Sequence, residues 1–463
     1  MIWTVVLLLQ ALLLYFIFTQ RSRSKSEPPL DKGLIPWLGH ALEFGKDASK
    51  FLNRMKLKHG NIFTVRAAGR YVTVLLDPHS YDSVINDADS LDFTCYAQVL
   101  MKRIFSLELS HSQMTEAKDM MKKHFIGMNL ATLNCTMERN LKALLKAEMP
   151  PNQKDWKKEG LFDFSYRLLF KAGKFDGLLT KMARETLRPE EKKTAQSVRQ
   201  RLWDLLAPAG STEDSGSSLW LPAYRRLLRG KGADEDTQRK AVLMQLWATQ
   251  GNVGPAAFWL MGYLLTNPEA LTAVKREFKQ ISQMETSETQ SLGDRSAATP
   301  VFDSALEETL RLTAAPFITR QVIREKTLHM ADGQEYLLRK GDRVCLFPFN
   351  SPQMDPDIYH EPQKYKYNRF MNEDGSAKKD FFKGGKQLKY YTMPWGAGTN
   401  GCVGKQFAIN SIRQFVYTVL TNYELELCDP DAQMPEVNAS RYGFGMLQPD
   451  GDLLVQYKLR NKH

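Results

Sequence analysis

Residues 2–18 read IWTVVLLLQALLLYFIF, with one Gln and no charge. Wound as a helix, a run of that length barely reaches across a hydrocarbon core. Arg21, Arg23 and Lys25 follow it and no charged side chain precedes it, so the positive-inside bias keeps the flank and everything beyond it on the cytosolic side. The small residues of a signal-peptidase site are missing from Phe18-Thr19-Gln20-Arg21, which favours a retained anchor over a cleaved leader. Pro28, Pro29, Gly33 and Pro36 then predict a stiff linker. The pattern divides the chain into a transmembrane anchor at 1–20, a basic, proline-rich linker at 21–37 and one large domain at 38–463.

Within that domain, alternating apolar positions predict strands at 62–66 and 72–76 about an Ala68-Gly69 turn. They return at 335–338 and 343–349, on either side of Lys340-Gly341-Asp342. Between Ser80 and about Leu310 the apolar spacing is helical, with polar breaks at 150–156, 208–218 and 284–300. No internal repeat and no regular βαβ alternation is present, so the class is mainly α with small β-sheets (α+β). One helix, expected over about 236–266, is apolar on nearly every side, as in a helix buried through a large domain. Gly251, Gly254 and Pro255 interrupt it. Pro255 has no N–H for the carbonyl of Gly251, which predicts a kink, and the glycines admit a flat, bulky group. Asn252 is the polar residue beside the kink, apart from Gln250. A second membrane span would also tolerate Pro and Gly, but Lys240 and Asn267-Pro268-Glu269 bracket the segment with the caps of a soluble helix.

Composition narrows the class of protein. Over 463 residues, 43% are hydrophobic and 25% charged, which excludes wholesale disorder, a collagen-like repeat and a many-span transporter. Lys+Arg 63 against Asp+Glu 52 leaves a net charge of +11. That surplus suits an anionic membrane face or an acidic partner more than nucleic acid, for which no motif accompanies it. The five cysteines, Cys95, Cys135, Cys345, Cys402 and Cys428, are scattered and form no CxxC pair. Neither a zinc ribbon nor a disulfide framework is supported, and reduced thiols agree with a cytosolic domain.

Three segments carry candidate chemistry. Glu308-Thr309-Leu310-Arg311 sets a carboxylate and a guanidinium three residues apart on one helix face. Pro316-Phe317-Ile318-Thr319-Arg320 and Tyr367-Asn368-Arg369-Phe370 follow, and a second arginine there can reach the first pair. Trp395-Gly396-Ala397-Gly398-Thr399-Asn400-Gly401-Cys402-Val403-Gly404 admits two readings. Its GxGxxG, with Tyr390-Tyr391-Thr392-Met393 ahead and Glu424 behind, imitates a dinucleotide fingerprint. Pro394 interrupts the supposed strand, and too little chain follows to build a parallel sheet. The other reading centres on Cys402, at the mouth of a helix expected over 403–421, where free amides favour a thiolate and glycines let a flat ring lie close.

Together these segments resemble the cytochrome P450 haem-thiolate family over essentially the whole chain. The glycine loop resembles that family's FxxGxxxCxG, with Trp395 in the aromatic place and Gly398, Cys402 and Gly404 matching. The resemblance implies the cytochrome P450 fold, haem b (iron protoporphyrin IX) with Cys402 as axial ligand to the iron, and a structural triad of Glu308, Arg311 and Arg369. It places Arg320 where a haem-propionate partner often stands. Asn400 departs from the Arg or His usual two residues before the cysteine, and no Trp occurs in 112–130, so Arg103 becomes a further propionate candidate. The acid and alcohol that deliver protons to bound oxygen are replaced by Gly251 and Asn252; an amide does not relay protons at neutral pH.

WATQGNVGPAAFW, KGDRVCLFPFNSPQMDPDIY and SRYGFGMLQPDGD resemble the branch of the family that isomerises the endoperoxide prostaglandin H2 to prostacyclin without NADPH or a reductase. That likeness implies a substrate site of Arg103, Leu109, Asn252, Thr319, Arg320 and Arg343, with Cys402 and Asn252 catalytic. It also implies a side activity as a fatty-acid hydroperoxide dehydratase. The partners expected are a small lipid endoperoxide and the endoplasmic reticulum membrane, entered by one span, with no nucleic acid, no obligatory redox partner and a monomeric state. Three alternatives stand beside it: an NADPH-dependent sterol or bile-acid-pathway hydroxylase of the same fold, a dinucleotide-binding dehydrogenase, and a membrane-tethered basic binding module.

Overall fold

The computed structural model describes residues 2–18, 24–148, 155–169, 178–206, 220–283 and 299–460. The interior is built around the helix Val253–Leu265, whose side chains from Val253 to Gly262 are all buried. It packs against the helices Leu161–Leu169, Pro300–Thr313 and Lys405–Asn422. Phe258, Trp259, Phe302, Phe415 and Val416 fill the space among them. A helix apolar all round is stable only when neighbours cover every side, which is the situation here.

The predicted kink is a full break. Glu235–Gln250 and Val253–Leu265 are separate helices, hinged at Gly251 and Asn252. The backbone N–H of Gly251 still reaches Trp247 O at 2.7 Å, and Ala256 N resumes the ladder on Asn252 O at 3.2 Å. Between these two rungs Asn252, Val253 and Gly254 make no backbone ladder bond to the preceding helix, and Pro255 has no N–H to make one.

Sheets flank the helical body. Among the described residues the largest has six strands in the order Leu30–Asp31, Ile62–Ala67, Arg70–Leu75, Arg343–Leu346, Ile318–Val322, Leu91–Asp92. The hairpin turns at Ala68 and Gly69, both at positive φ. Arg70–Leu75 then pairs in parallel with Arg343–Leu346, Val72 opposite Arg343. The expected strand 343–349 ends at Leu346, and the chain turns irregularly over Phe349–Gln353, with Ser351 extended. Tyr390 to Met393 form no strand, which removes the structural context a dinucleotide fingerprint needs.

Ile2–Phe18 is helical, with Trp3, Leu7 and Leu9 exposed, but no helix among the described residues is long and apolar enough to cross a membrane. The proline-rich segment docks on the body. Leu30 and Asp31 add a parallel edge to Thr64 and Val65, and the buried Glu27 meets Arg339 at 2.5 Å. Burial works against the Asp31 charge, but Lys58, His40, the Gly33 amide and His59 hold its carboxyl well below the usual range. Arg21 and Arg23 lie outside the described residues, as do most of the polar breaks at 150–156, 208–218 and 284–300.

Candidate active site

A cavity of about 750 Å³ opens between the broken helix and the glycine loop. Leu109, Val253, Ala256, Phe317 and Met446 make much of its wall apolar, and Cys402 faces it from the loop. Cys402 N donates to Trp395 O at 2.8 Å, closing the loop. Gly396 and Gly398 sit at φ +67° and +64°, where L side chains are strained. A Cβ on Gly398 would stand 2.6 Å from Ile85 Cγ2, so glycine is required there by space as well as by conformation.

Burial pushes the Cys402 thiol up; the Gly404 amide and the Lys405 ammonium pull the other way and do not overcome it. The helix begins at Lys405, two residues later than predicted, and its amino-terminal field alone does not make a thiolate here. Coordination to a metal would, since a ligating thiol is deprotonated outright. Cys345 offers no rival. It is buried in the sheet beside Thr319 Oγ1 at 3.7 Å, and burial pushes its thiol up to about 12.

Three cations line the cavity, Arg320, Lys118 and Lys122, the last of them paired with Asp119 at 3.2 Å. Arg320 is 3% exposed, donates Nη1 to Thr319 O at 3.0 Å and stacks over Phe93 at 5.4 Å. Lys118 reaches across from the helix His111–His124 to Asn400 Oδ1 at 3.0 Å and Thr399 O at 2.5 Å. Sequence reasoning passed over Lys118 because it sits in a helix with Lys122 and Lys123, where nothing distinguishes it. A flat ligand with anionic edges, bound by one soft donor, fits these features: a glycine cradle, a single thiol, and Arg320, Lys118 and Lys122 lining the cavity.

The remaining expected residues fall into two groups. Leu109, Asn252, Arg320 and Cys402 line the cavity. Arg103, Thr319 and Arg343 are not among its lining residues. Arg103 is engaged by Glu185 at 2.7 Å and by Ala183 O at 3.0 Å. Arg343 lies over the Tyr96 ring at 5.1 Å, half-buried, and burial lowers its pKa. Asn252 spends its Oδ1 on the Met446 N–H at 3.0 Å and does not cap the carbonyl of Gly251.

Glu308, Arg311 and Arg369 form one buried cluster beneath the site. Glu308 and Arg311 are both fully buried. Arg311 Nε and Nη2 clasp the carboxylate at 2.7 and 2.9 Å, and Arg369 Nε reaches Glu308 Oε1 at 2.9 Å. Arg311 Nη1 also donates to Gln353 O, and Arg369 to the carbonyls of His360, Glu361 and Lys364. The two arginines stitch the helix Pro300–Thr313 to the loop that leads toward Cys402.

A helical body wrapped round a broken central helix, with a cysteine in a glycine loop facing that break, defines a haem-thiolate protein, and the chain belongs to the cytochrome P450 family. The cytochrome P450 family model matches residues 223–455. Over 95% of both chains it is 50% identical to prostacyclin synthase of Rattus norvegicus and 48% identical to that of Homo sapiens. It is 40% identical to the 7-alpha-hydroxycholest-4-en-3-one 12-alpha-hydroxylase of Homo sapiens, over 95% of this chain and 94% of that protein. Haem is the cofactor that membership brings.

Proposed function

We propose that this chain isomerises prostaglandin H2 to prostacyclin, and that Cys402 would hold haem from the glycine loop. The reading is carried by the likeness to prostacyclin synthases, and an amide in place of the acid and alcohol at the helix break agrees with it. Identity of about half the residues to prostacyclin synthases over nearly the full length supports it. Haem, when bound, supplies an iron that splits a peroxide bond by one-electron chemistry and recovers the electron, so no external reductant enters the balance.

The chain's own residues do the rest. Cys402 would hold the cofactor from the loop, and Arg320 and Lys118, which line the same cavity, would pair its propionates. Arg103, expected in that role, is already occupied by Glu185 and takes part only by giving that contact up. Asn252 donates a hydrogen bond to one endoperoxide oxygen, which selects the oxygen presented for cleavage. Leu109, Val253, Ala256 and Met446 keep water from a radical that has to close on its own double bond before it is quenched. Thr319 supports Arg320, its carbonyl accepting from Arg320 Nη1, while Arg343 lies over the Tyr96 ring outside the wall. The same wall and cofactor serve a fatty-acid hydroperoxide as a secondary substrate, undergoing dehydration.

The helix Ile2–Phe18 anchors the protein in the endoplasmic reticulum membrane with its domain in the cytosol; the apolar composition of residues 2–18 and the basic flank support this. The protein works as a monomer without a redox partner. A second reading, hydroxylation of a sterol with NADPH and a reductase, is favoured by the 40% identity to a sterol 12-alpha-hydroxylase. Purified, haem-loaded protein given prostaglandin H2 without NADPH decides between them. Prostacyclin or its hydrolysis product is expected. Turnover that needs NADPH and a reductase overturns the isomerase reading.

A further inference from the structure

The carboxamide of Asn252 has two ends, and only one of them can serve a peroxide. Its Oδ1 accepts from the backbone N–H of Met446, 194 residues away, at 3.0 Å. A backbone N–H can only donate, so the atom it meets is the oxygen, and the amide flip is settled by chemistry rather than by fit. The other end, Nδ2, takes no acceptor among the described residues, while Asn252 lines the cavity.

The donor is itself held. Gly443 N donates to Ala315 O at 2.8 Å, Ala315 N to Gly445 O at 2.9 Å and Leu447 N to Thr313 O at 2.8 Å. Leu447 O accepts Trp259 Nε1 at 2.7 Å. The segment 443–447 is therefore laced to the end of the helix Pro300–Thr313 and to the central helix, and Met446 N points where that lacing leaves it. Gly445 makes the approach possible. It sits at φ +89°, and a Cβ there would stand 2.6 Å from Asn252 Oδ1. This is a place where only glycine lets the backbone come close enough to bind the amide.

We propose that the Gly445–Met446 turn is the positioning device for Asn252, locking its carboxamide so that Nδ2–H, a donor, faces the cavity and its hydrogen-bond-accepting substrate. This rests on the isomerase reading for the identity of that acceptor. Gly445 and Met446 also line the cavity, and the role proposed here is the one they exert through Asn252.

The test is a double-mutant cycle on the full-length, haem-loaded protein, with prostaglandin H2 turnover expressed per haem. Asn252→Ala is expected to lower kcat roughly tenfold or more. Gly445→Ala is expected to lower it by a similar factor in the native background and by nothing further beside Asn252→Ala. An equal loss in both backgrounds, or none in the native one, overturns the proposal. Should Gly445→Ala fail to load haem, Asn252→Asp takes its place. It keeps an oxygen for Met446 N–H and loses the donor, so it should turn over as poorly as Asn252→Ala; native turnover by Asn252→Asp overturns the proposal.

A second readout does not depend on activity. Hydrogen exchange at the Met446 amide should quicken in Asn252→Ala and remain slow in Asn252→Asp. Unchanged exchange in Asn252→Ala refutes the link. If the native protein forms no prostacyclin without NADPH, the isomerase reading fails, while the exchange experiment still judges the turn.

Discussion

Glu308→Ala tests the buried cluster beneath the site. The carboxylate satisfies Arg311 through two bonds at 2.7 and 2.9 Å and Arg369 through one at 2.9 Å, with both Glu308 and Arg311 out of contact with water. Removing it leaves Arg311 with Gln353 O and the Met354 sulfur as hydrogen-bond acceptors and the Tyr359 ring 4.8 Å away, and a methyl where the anion stood. Stranding one buried charge in this way costs about 3–5 kcal/mol. Arg369 adds little more, because carbonyls of its own loop continue to hold it and its far end reaches the surface. Unfolding entropy of about 2.1 cal/mol/K per residue gives roughly 1 kcal/mol/K for a chain of this size, so the melting point should fall by about 3–5 °C. The assay is thermal unfolding followed by the Soret band and by far-ultraviolet dichroism, beside haem content per protein. Glu308→Gln retains the shape and part of the hydrogen bonding and should lie between the two. A Glu308→Ala protein with full haem and a native melting point would show that the cluster is solvated in solution and the reasoning from burial wrong.

Three further outcomes are expected. Cys402→Ala should lose the red-shifted carbonyl band and all turnover, while Cys345→Ala keeps the band; a persistent thiolate-type spectrum in Cys402→Ala would assign the ligand elsewhere. Asp355 is buried, which alone would raise its carboxyl, but Lys383 at 2.5 Å and Ser351 at 2.8 Å outweigh that and hold it below the usual range. Its stabilising contribution is thus present above the unfolded carboxyl value of about 3.9 and is lost as pH falls through the lower folded value. Asp355→Asn should lower the melting point at pH 7 and flatten the acid limb below about pH 4; parallel wild-type and variant curves down to pH 3 would contradict this. Deleting residues 1–20 should leave the Soret band and per-haem turnover intact and reduce the fraction that sediments with membranes, and loss of haem on truncation would show that the helix supports the fold.

What could be read from the chain depended on how local its cause was. The Glu308–Arg311 pair follows from helical spacing alone, and the hairpin about Ala68 and Gly69 from a turn between two alternating runs. The break at Gly251 and Asn252 was legible because proline removes one named hydrogen bond, though not that the helix would divide in two. Contacts made by backbone atoms left no mark. Met446 meets Asn252 through its N–H, and nothing in the identity of Met446 announces that. The parallel pairing of Val72 with Arg343 joins segments whose patterns would suit several partners. Lys118 was hidden by its basic neighbours, and the docking of Leu30 and Asp31 by prolines that read equally well as a spacer.

That docking has a mechanical consequence. Ser24 onward is fixed to the body through Glu27, Leu30 and Asp31, so only a few residues separate Phe18 from the clamped chain, at most about 20 Å when fully extended. For the membrane-anchored form proposed above, this is a short leash on a rigid handle. The body cannot tumble freely or lift its cavity far from the surface, and it searches a thin layer in place of a hemisphere. An amphiphilic substrate dissolved in that surface is met at nearly constant height and at the high local concentration that short tethers produce. Inserting a flexible stretch after Phe18 would lengthen the leash and leave the handle unchanged, diluting the encounter and leaving the chemistry of the bound complex as it was.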